Sequence, residues 1–168
     1  LPIYQTVSVT VNGTNDGPVI TNTAAALTGQ VTEDVTLTAT GQLSASDVDA
    51  GATQSWSVQG NATGAYGSLA VNGTGQWTYT LDNAAHQSLA AGESHVESFT
   101  VRVTDDKGAY VDQTVSVTVN GTNDGPVITN TAASRAGSVT EDVTLTATGQ
   151  LSASDVDAGR SEEHTSEL

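Results

Sequence analysis

Residues 115–127 decide the fold, and they read Val-Ser-Val-Thr-Val-Asn-Gly-Thr-Asn-Asp-Gly-Pro-Val. The first five alternate valine with serine or threonine, which is the period-two pattern of a strand with one apolar face. Asn120-Gly121 is expected to end this strand, because both residues tolerate the positive φ of a tight turn. Pro126 favours an extended path for the chain before it. Asn123-Asp124-Gly125-Pro126 therefore predicts a linker into a further unit.

The same stretch occurs 108 residues earlier, as residues 7–19. The match extends outward on both sides, since residues 5–25 reappear unchanged as 113–133 and residues 31–51 reappear unchanged as 139–159. A period of about one domain length is typical of a tandem array, in which function belongs to the array rather than to one catalytic pocket.

The repeat sets the expected domain boundaries. Residues 17–124 form one complete repeat, residues 4–16 match the last strand of a preceding repeat, and residues 125–159 match the start of the next one. Residues 1–3 and 160–168 match no part of the repeat and read as translated sequencing-library adapter, so we expect them to carry no biology. Long-read resequencing that still showed residues 160–168 would contradict this expectation.

Within the complete repeat, six segments alternate apolar with polar residues, and a short edge strand is expected around Val19. The alternating segments are 35–39, 56–58, 69–71, 77–81, 99–103 and 111–119. Asn72-Gly73 is expected to turn a hairpin between the third and fourth of them. Only residues 83–91 are compatible with a helix, of no more than a couple of turns. The sequence predicts an all-β, immunoglobulin-like or cadherin-like sandwich of about seven strands.

The charge balance narrows the possible ligands. The chain has 4 Lys and Arg residues against 19 Asp and Glu residues, for a net charge of -15. Such a charge repels nucleic acid and anionic lipid, and it destabilises a compact domain unless cations neutralise it. The sequence contains no cysteine and no apolar run of membrane-spanning length, which argues against disulfides, thiolate metal sites and membrane insertion by this segment. Divalent cations are therefore the expected ligands.

Three acidic clusters lie where strands are expected to end. The third consists of Glu33-Asp34, Asp82 and Asp105-Asp106, which form no recognisable site unaided and are individually more typical of solvated surface charges. Asp47-Val48-Asp49-Ala50-Gly51 places alternate carboxylates on one side of an extended segment, and Asn15-Asp16-Gly17-Pro18 lies at the repeat boundary. Calcium takes six to eight oxygen ligands of this kind. An EF-hand is excluded, because no third ligand precedes the glycine and no glutamate follows at the twelfth position. A solvated acidic turn and a plain linker remain open as alternatives, although the position of the second motif at the boundary favours a cation.

The order of motifs along the chain resembles that of cadherin-like repeats. The motifs are Glu33, then residues 43–51, 103–108 and 115–126. The complete repeat is similar to the VCBS-type repeats of very large bacterial surface or secreted (RTX-type) adhesins, and the similarity extends over residues 5–159. It implies a non-enzymatic, calcium-stiffened extender module at the bacterial cell surface or outside the cell. Its partners would be neighbouring repeats of the same chain, with cell-surface or matrix ligands bound through other domains.

The resemblance also implies a calcium junction at each end of the complete repeat. The junction before it would use Asn15, Asp16, Asp47, Asp49 and Asp105. The junction after it would use Glu33, Asp82, Asn123, Asp124, Asp155 and Asp157. The sequence departs from the family in two places, since Leu81-Asp82-Asn83 lacks the arginine and glutamate of the LDRE motif and glycines stand at 121 and 125 where the family has Asp and Asn. We therefore expect fewer or weaker ions per junction.

Other functions would depend on other residues of the repeat. A direct polysaccharide-binding module predicts exposed aromatic side chains in a groove, for which Trp56 and Trp77 are candidates, although their place in apolar alternation favours the core. An accessory domain of a secreted hydrolase remains a third possibility. His86 and His95 are the only histidines of the repeat, and no nucleophile elbow accompanies them. The sequence therefore predicts no enzyme.

Overall fold

The computed structural model describes residues 2–157. Leu1 and residues 158–168 lie outside the described residues, and with them the adapter-derived segment expected at 160–168. The described chain has eleven strands and three 3-10 turns, and it has no α-helix. The strands are β1 (Val19–Ile20), β2 (Thr28–Thr32), β3 (Thr38–Gln42), β4 (Ala45–Ser46), β5 (Gln54–Gln59), β6 (Gly67–Val71), β7 (Gln76–Leu81), β8 (Ser94–Asp105), β9 (Tyr110–Asn120), β10 (Val127–Ile128) and β11 (Ala153–Ser154). The 3-10 turns are Ala24–Leu27, Asn83–Ala85 and Ala133–Arg135.

Seven of these strands form the two sheets of a β-sandwich. The first sheet has the order β2-β9-β8-β5 and the second has the order β3-β7-β6. All of their pairings are antiparallel except that of β2 with β9, which is parallel. Two short pairs, β1 with β4 and β10 with β11, repeat the same contact in successive repeats. The prediction of an all-β sandwich of about seven strands is confirmed.

The core lies between the two sheets and contains side chains from both. Val115, Val117 and Val119 of β9 are fully buried, and so are Trp77 and Tyr79 of β7. The Trp77 indole N–H donates a hydrogen bond of 3.0 Å to the Ala26 carbonyl. Two glycines leave room for this large ring, because a Cβ at Gly41 would lie 2.5 Å from the indole and one at Gly29 would lie 2.8 Å from it. Valine alternation thus marks β9 as a core strand, whereas the same alternation at Val7, Val9 and Val11, expected as the last strand of the preceding repeat, is exposed and forms no strand.

Two strands of the complete repeat, β2 and the short β4, were missed, and β3 was placed too early. Segment 28–32 shows no clear alternation, yet it forms β2 because it pairs in parallel with β9. The strand expected at 35–39 begins only at Thr38. A tight turn precedes it, in which the amide of Thr36 donates to the carbonyl of Thr32 over 2.8 Å. That turn leaves Val35 72% exposed, so its apolar side chain does not mark a core position.

The Asn-Gly pairs have different roles. Asn72-Gly73 lies in the hairpin between β6 and β7, as predicted. The positive φ of that hairpin falls on Gly75, at 84°, rather than on the pair itself. Gly121 is required by a close approach and not by a tight turn, since a Cβ there would lie 2.2 Å from the carbonyl oxygen of Leu89. The expected helical stretch at 83–91 contains only the 3-10 turn Asn83–Ala85.

Candidate metal centre

Three carboxylates meet where the complete repeat passes into the next one. Glu33 follows β2, Asp124 lies in the linker after β9, and Asp157 follows β11. Each offers one oxygen, and these oxygens all lie within 4.8 Å of one another. The parallel pairing of β2 with β9 brings Glu33 to the start of the linker, where its amide donates to the Asn120 carbonyl over 3.1 Å. The fold thus gathers ligands from three segments that are distant in sequence.

Glu33 and Asp157 are buried and Asp124 is half-buried, and each of the three has a buried oxygen that accepts no hydrogen bond within the described residues. Glu33 is fully buried and Asp157 is 5% exposed. Glu33 Oε1 accepts a hydrogen bond of 2.9 Å from the Thr122 amide, and Asp157 Oδ2 accepts one of 3.1 Å from the Asp124 amide. Within the described residues, Glu33 Oε2, Asp157 Oδ1 and Asp124 Oδ2 are buried and accept no hydrogen bond. Buried anionic oxygens without partners are strongly unfavourable, so this donor set fits a bound cation.

The pKa shifts of Glu33 and Asp124 also fit a bound cation. Burial is the main cause that raises the pKa of Glu33, the Thr122 hydrogen bond opposes it, and the charges of Asp124, Asp34 and Asp157 add to it. Burial also raises the pKa of Asp124, followed by repulsion from Asp34, Asp157 and Asp155. In the absence of a cation, the fold therefore favours protonation of both carboxyls. A divalent cation would remove that preference by supplying the missing positive charge.

The other end of the repeat uses the same arrangement. The amide of Asp16 donates to Asp49 Oδ2 over 2.9 Å, and the amide of Asp49 donates to Asp47 Oδ1 over 2.9 Å. Asp47 Oδ2 is buried and, among the described residues, accepts no hydrogen bond. The equivalent contacts after the repeat are those of Asp124 with Asp157 and of Asp157 with Asp155, at 3.1 and 3.0 Å. In each linker, the amide of an aspartate thus donates a hydrogen bond to the Asp-x-Asp motif of the repeat that follows.

Asp105 joins the preceding junction from the end of β8. It is 7% exposed, and its Oδ2 accepts a hydrogen bond of 2.9 Å from Asn15 Nδ2. Its Oδ1 accepts from the amides of Lys107 and Ala109 at 2.8 and 2.9 Å. The Asn15 contact is the main cause that lowers the pKa of Asp105, which keeps this carboxylate ionised. One chain of hydrogen bonds therefore connects all five residues that the resemblance assigned to this junction.

Two of the residues assigned to the following junction, Asn123 and Asp82, make no side-chain hydrogen bond to the junction carboxylates within the described residues. Asn123 is exposed, and its side-chain amide donates to the Asp124 carbonyl over 2.7 Å. Asp82 is also exposed and lines a cleft with Tyr66 and His86, and no hydrogen bond in the described chain links its side chain to another assigned ligand. The next residue, Asn83, contacts Asp34, which directly follows the junction residue Glu33.

Asp34 belongs to the acidic pair Glu33-Asp34 of the sequence, and the resemblance assigned it to neither junction. Asn83 Nδ2 donates to Asp34 Oδ1 over 2.7 Å, and Gln87 Nε2 donates to the same oxygen over 3.0 Å. Asp34 and Asp124 are neighbours, and each carboxyl alters the pKa of the other. The sequence marks Asp34 only as part of an acidic pair, because its contact with Asn83 spans 49 positions and leaves no pattern in the sequence.

Both histidines pack against the Tyr66 ring, His95 stacked on it and His86 tilted. Tyr66 has its ring centroid 4.8 Å from that of His86 and 4.7 Å from that of His95. His95 Nε2 lies 2.7 Å from Glu93 Oε1. Ser68 and Asp82 line the same cleft as His86, but no hydrogen bond among the described residues joins His86 to either of them. These are packing contacts and a contact with a carboxylate, and none of them joins a histidine to a hydroxyl group that could act as a nucleophile.

The tryptophans give no binding groove. Trp77 is fully buried, and Trp56 is half-buried against the same core cluster. The candidates for a direct polysaccharide-binding surface are thus part of the hydrophobic core.

The chain is similar to solved structures of cadherin extracellular domains. The PcdhgB3 EC1-4 structure has a TM-score of 0.53 and 20% identity, and covers 89% of this chain and 35% of its own. Protocadherin Gamma B7 extracellular cadherin domains 1-4 give a TM-score of 0.49 and 23% identity, with 87% and 34% covered. Mouse Cadherin-23 EC22-24 gives 0.44 and 19%, with 87% and 46% covered. The chain therefore spans between 34% and 46% of these structures' lengths, and the PcdhgB3 likeness supports the fold.

The chain was also compared with curated proteins and with models of protein families. None of the curated proteins compared with this chain matches it. Of the residues that the structure describes, none belongs to a helix with the length and apolar character needed to cross a membrane. The family model of the bacterial cadherin-like domain matches residues 15–121, from the linker before β1 to the residue after β9. The chain belongs to the family of bacterial cadherin-like domains.

Proposed function

We propose that this chain is a non-enzymatic extender module of a long, repetitive bacterial cell-surface adhesin, stiffened by calcium at its repeat junctions. The observation that carries the proposal is the group of Glu33, Asp124 and Asp157, whose buried oxygens lack partners within the described residues. The three residues come from one repeat, the linker and the next repeat. An ion held by all three would therefore cross-link the two repeats.

Calcium suits this donor set better than other common cations. Its ligands are oxygens, it tolerates irregular geometry, and extracellular modules bind it with dissociation constants of about 10⁻⁴ to 10⁻³ M. The junction offers carboxylates and the side chain of Asn123, with no cysteine or histidine among them. When bound, the ion would supply positive charge that the junction residues do not provide. Asp155 and Asp157 would bind it from the repeat after the linker, and Glu33 from the repeat before it.

The two junctions lie at opposite ends of the β8–β9 ribbon. Tyr110, at the start of β9, pairs with Thr104 beside Asp105, whereas Asn120, at its end, lies beside Glu33. β9 has 11 residues, and at about 3.3 Å per residue its ends lie more than about 30 Å apart. This placement supports end-to-end stacking of repeats, which an extender needs in order to project a distal domain.

The test is a calcium titration of a chain with two complete repeats, followed by small-angle X-ray scattering and thermal unfolding. We expect calcium at millimolar concentration to increase the maximum dimension and the unfolding temperature relative to chelator, because the linker carboxylates no longer repel one another. A matched control carries Asp124→Asn and Asp157→Asn at the internal junction and should lose most of the response. Equal dimensions and unfolding temperatures of the unsubstituted chain in chelator and in calcium would refute the stiffening role.

A further inference from the structure

One short sequence, Val-Asn-Gly-Thr-Asn-Asp-Gly-Pro, occurs twice in the chain, in two different environments. Residues 5–12, which lead into the first copy, are exposed throughout and belong to no strand. Residues 113–120, which lead into the second, have the identical sequence and lie in β9. The same Asn-Gly pair is thus present with and without a partner sheet. A difference in reactivity between the two pairs must therefore come from the fold.

An Asn-Gly pair can react within itself. The backbone nitrogen of the glycine loses its proton and attacks Cγ of the asparagine side chain, so that a new C–N bond closes a cyclic imide. The side-chain nitrogen takes up a proton and leaves as ammonia. Water then opens the imide at either of its carbonyl carbons and gives aspartate or isoaspartate. Glycine favours the attack because it has no Cβ to shield its nitrogen and its backbone rotates freely.

The first pair, Asn12-Gly13, is free to undergo this reaction. The Asn12 side chain is exposed and makes no hydrogen bond within the described residues. Neither residue takes part in a backbone hydrogen bond there, and a Cβ added at Gly13 would meet no atom within 4 Å. The backbone can therefore rotate without breaking sheet hydrogen bonds, and the Gly13 nitrogen can approach Asn12 Cγ.

The second pair, Asn120-Gly121, is held at both reacting groups. Asn120 Nδ2, the leaving nitrogen, donates to the Val31 carbonyl over 3.1 Å. The Gly121 amide, which contains the attacking nitrogen, donates to the Glu93 carbonyl over 3.0 Å, and the Asn120 carbonyl accepts from the Glu33 amide over 3.1 Å. Asn120 also lies where β9 pairs with both β2 and β8. Closure of the imide therefore has to wait for local opening of the strand end.

We propose that Asn12-Gly13 is a site of spontaneous conversion to aspartate and isoaspartate, and that pairing of β9 with β2 protects the identical site at Asn120-Gly121. The conversion adds a negative charge, and isoaspartate also inserts a methylene group into the backbone. At Asn120 the new carboxylate would face the Val31 carbonyl oxygen, which now accepts a hydrogen bond from the side chain. The β2–β9 pairing thus protects a residue whose conversion would weaken that same pairing.

The test is peptide mapping of the full chain by mass spectrometry during incubation at mildly alkaline pH. Cleavage after glutamate places one Asn-Gly pair on each of the peptides 1–33, 34–93 and 98–141, so Asn12 and Asn120 are read separately. We expect Asn12 to convert at least about tenfold faster than Asn120, because reaction at Asn120 has to wait for local opening. Asn12→Gln should suppress conversion in peptide 1–33, since the extra methylene disfavours ring closure.

Urea separates the effect of the fold from that of the sequence. Residues 7–19 and 115–127 are identical, so both pairs should convert at the same rate in the unfolded chain. Below the unfolding transition, added urea should accelerate conversion at Asn120 and leave that at Asn12 almost unchanged, because only Asn120 reacts through opening.

Two results would overturn the proposal. Equal conversion rates of Asn12 and Asn120 in the folded chain would show that strand pairing gives no protection. Conversion at Asn12 that is about tenfold slower in the folded chain than in the urea-unfolded chain would show that this pair is restrained as well.

Discussion

At the residue scale, one motif occurs in two environments. Glu33 and Glu141 both stand between Val-Thr and Asp in identical segments of sequence. Glu33 is fully buried and bonded to the Thr122 amide, whereas Glu141 is exposed. The turn itself is the same in both repeats, so the local sequence determines it. Burial of the glutamate requires β9 beside β2, and it is therefore a tertiary property.

The substitution Glu33→Gln should stabilise the cation-free protein. Its folded pKa is raised above the usual 4.5, so ionised Glu33 penalises the folded state fully above the folded pKa and not at all below the unfolded one. In chelator at pH 7.5, removal of this unpartnered charge should raise the free energy of unfolding by about 1 kcal/mol or more. The gain should disappear as the pH falls towards 4.5, and chemical denaturation at several pH values measures it.

Calcium should reverse the order of stability of the unsubstituted chain and Glu33→Gln. At saturating calcium, the unsubstituted chain should be more stable than Glu33→Gln, because the ionised carboxylate then has a partner. Calcium binding to the unsubstituted chain should also release protons at mildly acidic pH, which titration in buffers of different ionisation enthalpy detects. A Glu33→Gln protein that is less stable than the unsubstituted chain in chelator at pH 7.5 would contradict the assignment of Glu33 as an unpaired ligand.

At the element scale, the sequence predicted strands that carry their own pattern and missed those defined by a partner. The alternation of β7, β8 and β9 is strict, and it supplies the core residues Trp77, Tyr79, Val101, Val115, Val117 and Val119. β2 lacks alternation and is a strand because of its parallel pairing with β9. The assigned junction residues lie at strand ends, where motif order could place them. The position of the Asp34 side chain depends on a positive φ and on a contact with Asn83, 49 positions away, and neither leaves a pattern in the sequence.

The exit of β9 into the linker depends on a glycine that can be tested. A Cβ at Gly121 would lie 2.2 Å from the Leu89 carbonyl oxygen and 2.4 Å from that of Ala90, and backbone atoms cannot rotate away. Gly121→Ala should therefore cost about 1–3 kcal/mol of unfolding free energy. Because the Thr122 amide follows directly, the change should also weaken calcium binding through Glu33.

A second linker glycine provides the control for this substitution. Gly125 has no atom within 4 Å of the position of an added Cβ. Gly125→Ala should therefore change the unfolding free energy by less than about 0.5 kcal/mol, as is usual for open surface sites. Urea denaturation of the three proteins gives the comparison. Equal effects of the two substitutions would show that the close approach at Gly121 does not constrain the linker.

At the scale of the whole molecule, the charge is unbalanced, and the ion pairs of Arg102 and Lys107 do not use the junction carboxylates. Arg102 pairs with Asp112 on the exposed face of the β8–β9 ribbon, with Arg102 Nε 2.6 Å from Asp112 Oδ1, and Lys107 pairs with Asp106. Neither basic residue forms an ion pair with a junction carboxylate within the described residues. The net charge of -15 must therefore be screened by ions from solution, and the acids are concentrated at the junctions by the fold.

Salt should consequently affect the cation-free and calcium-bound proteins differently. In chelator, raising sodium chloride from about 0.05 to about 0.5 M shortens the screening length from roughly 14 to roughly 4 Å, so the unfolding temperature should rise as repulsion among the acids weakens. At saturating calcium the junction charges are already neutralised, and the same increase in salt should raise the unfolding temperature by a smaller amount. Differential scanning calorimetry at both salt concentrations measures the two increments. Equal increments would mean that the destabilising repulsion is spread over the surface, and they would count against junctions in which calcium neutralises the clustered carboxylates.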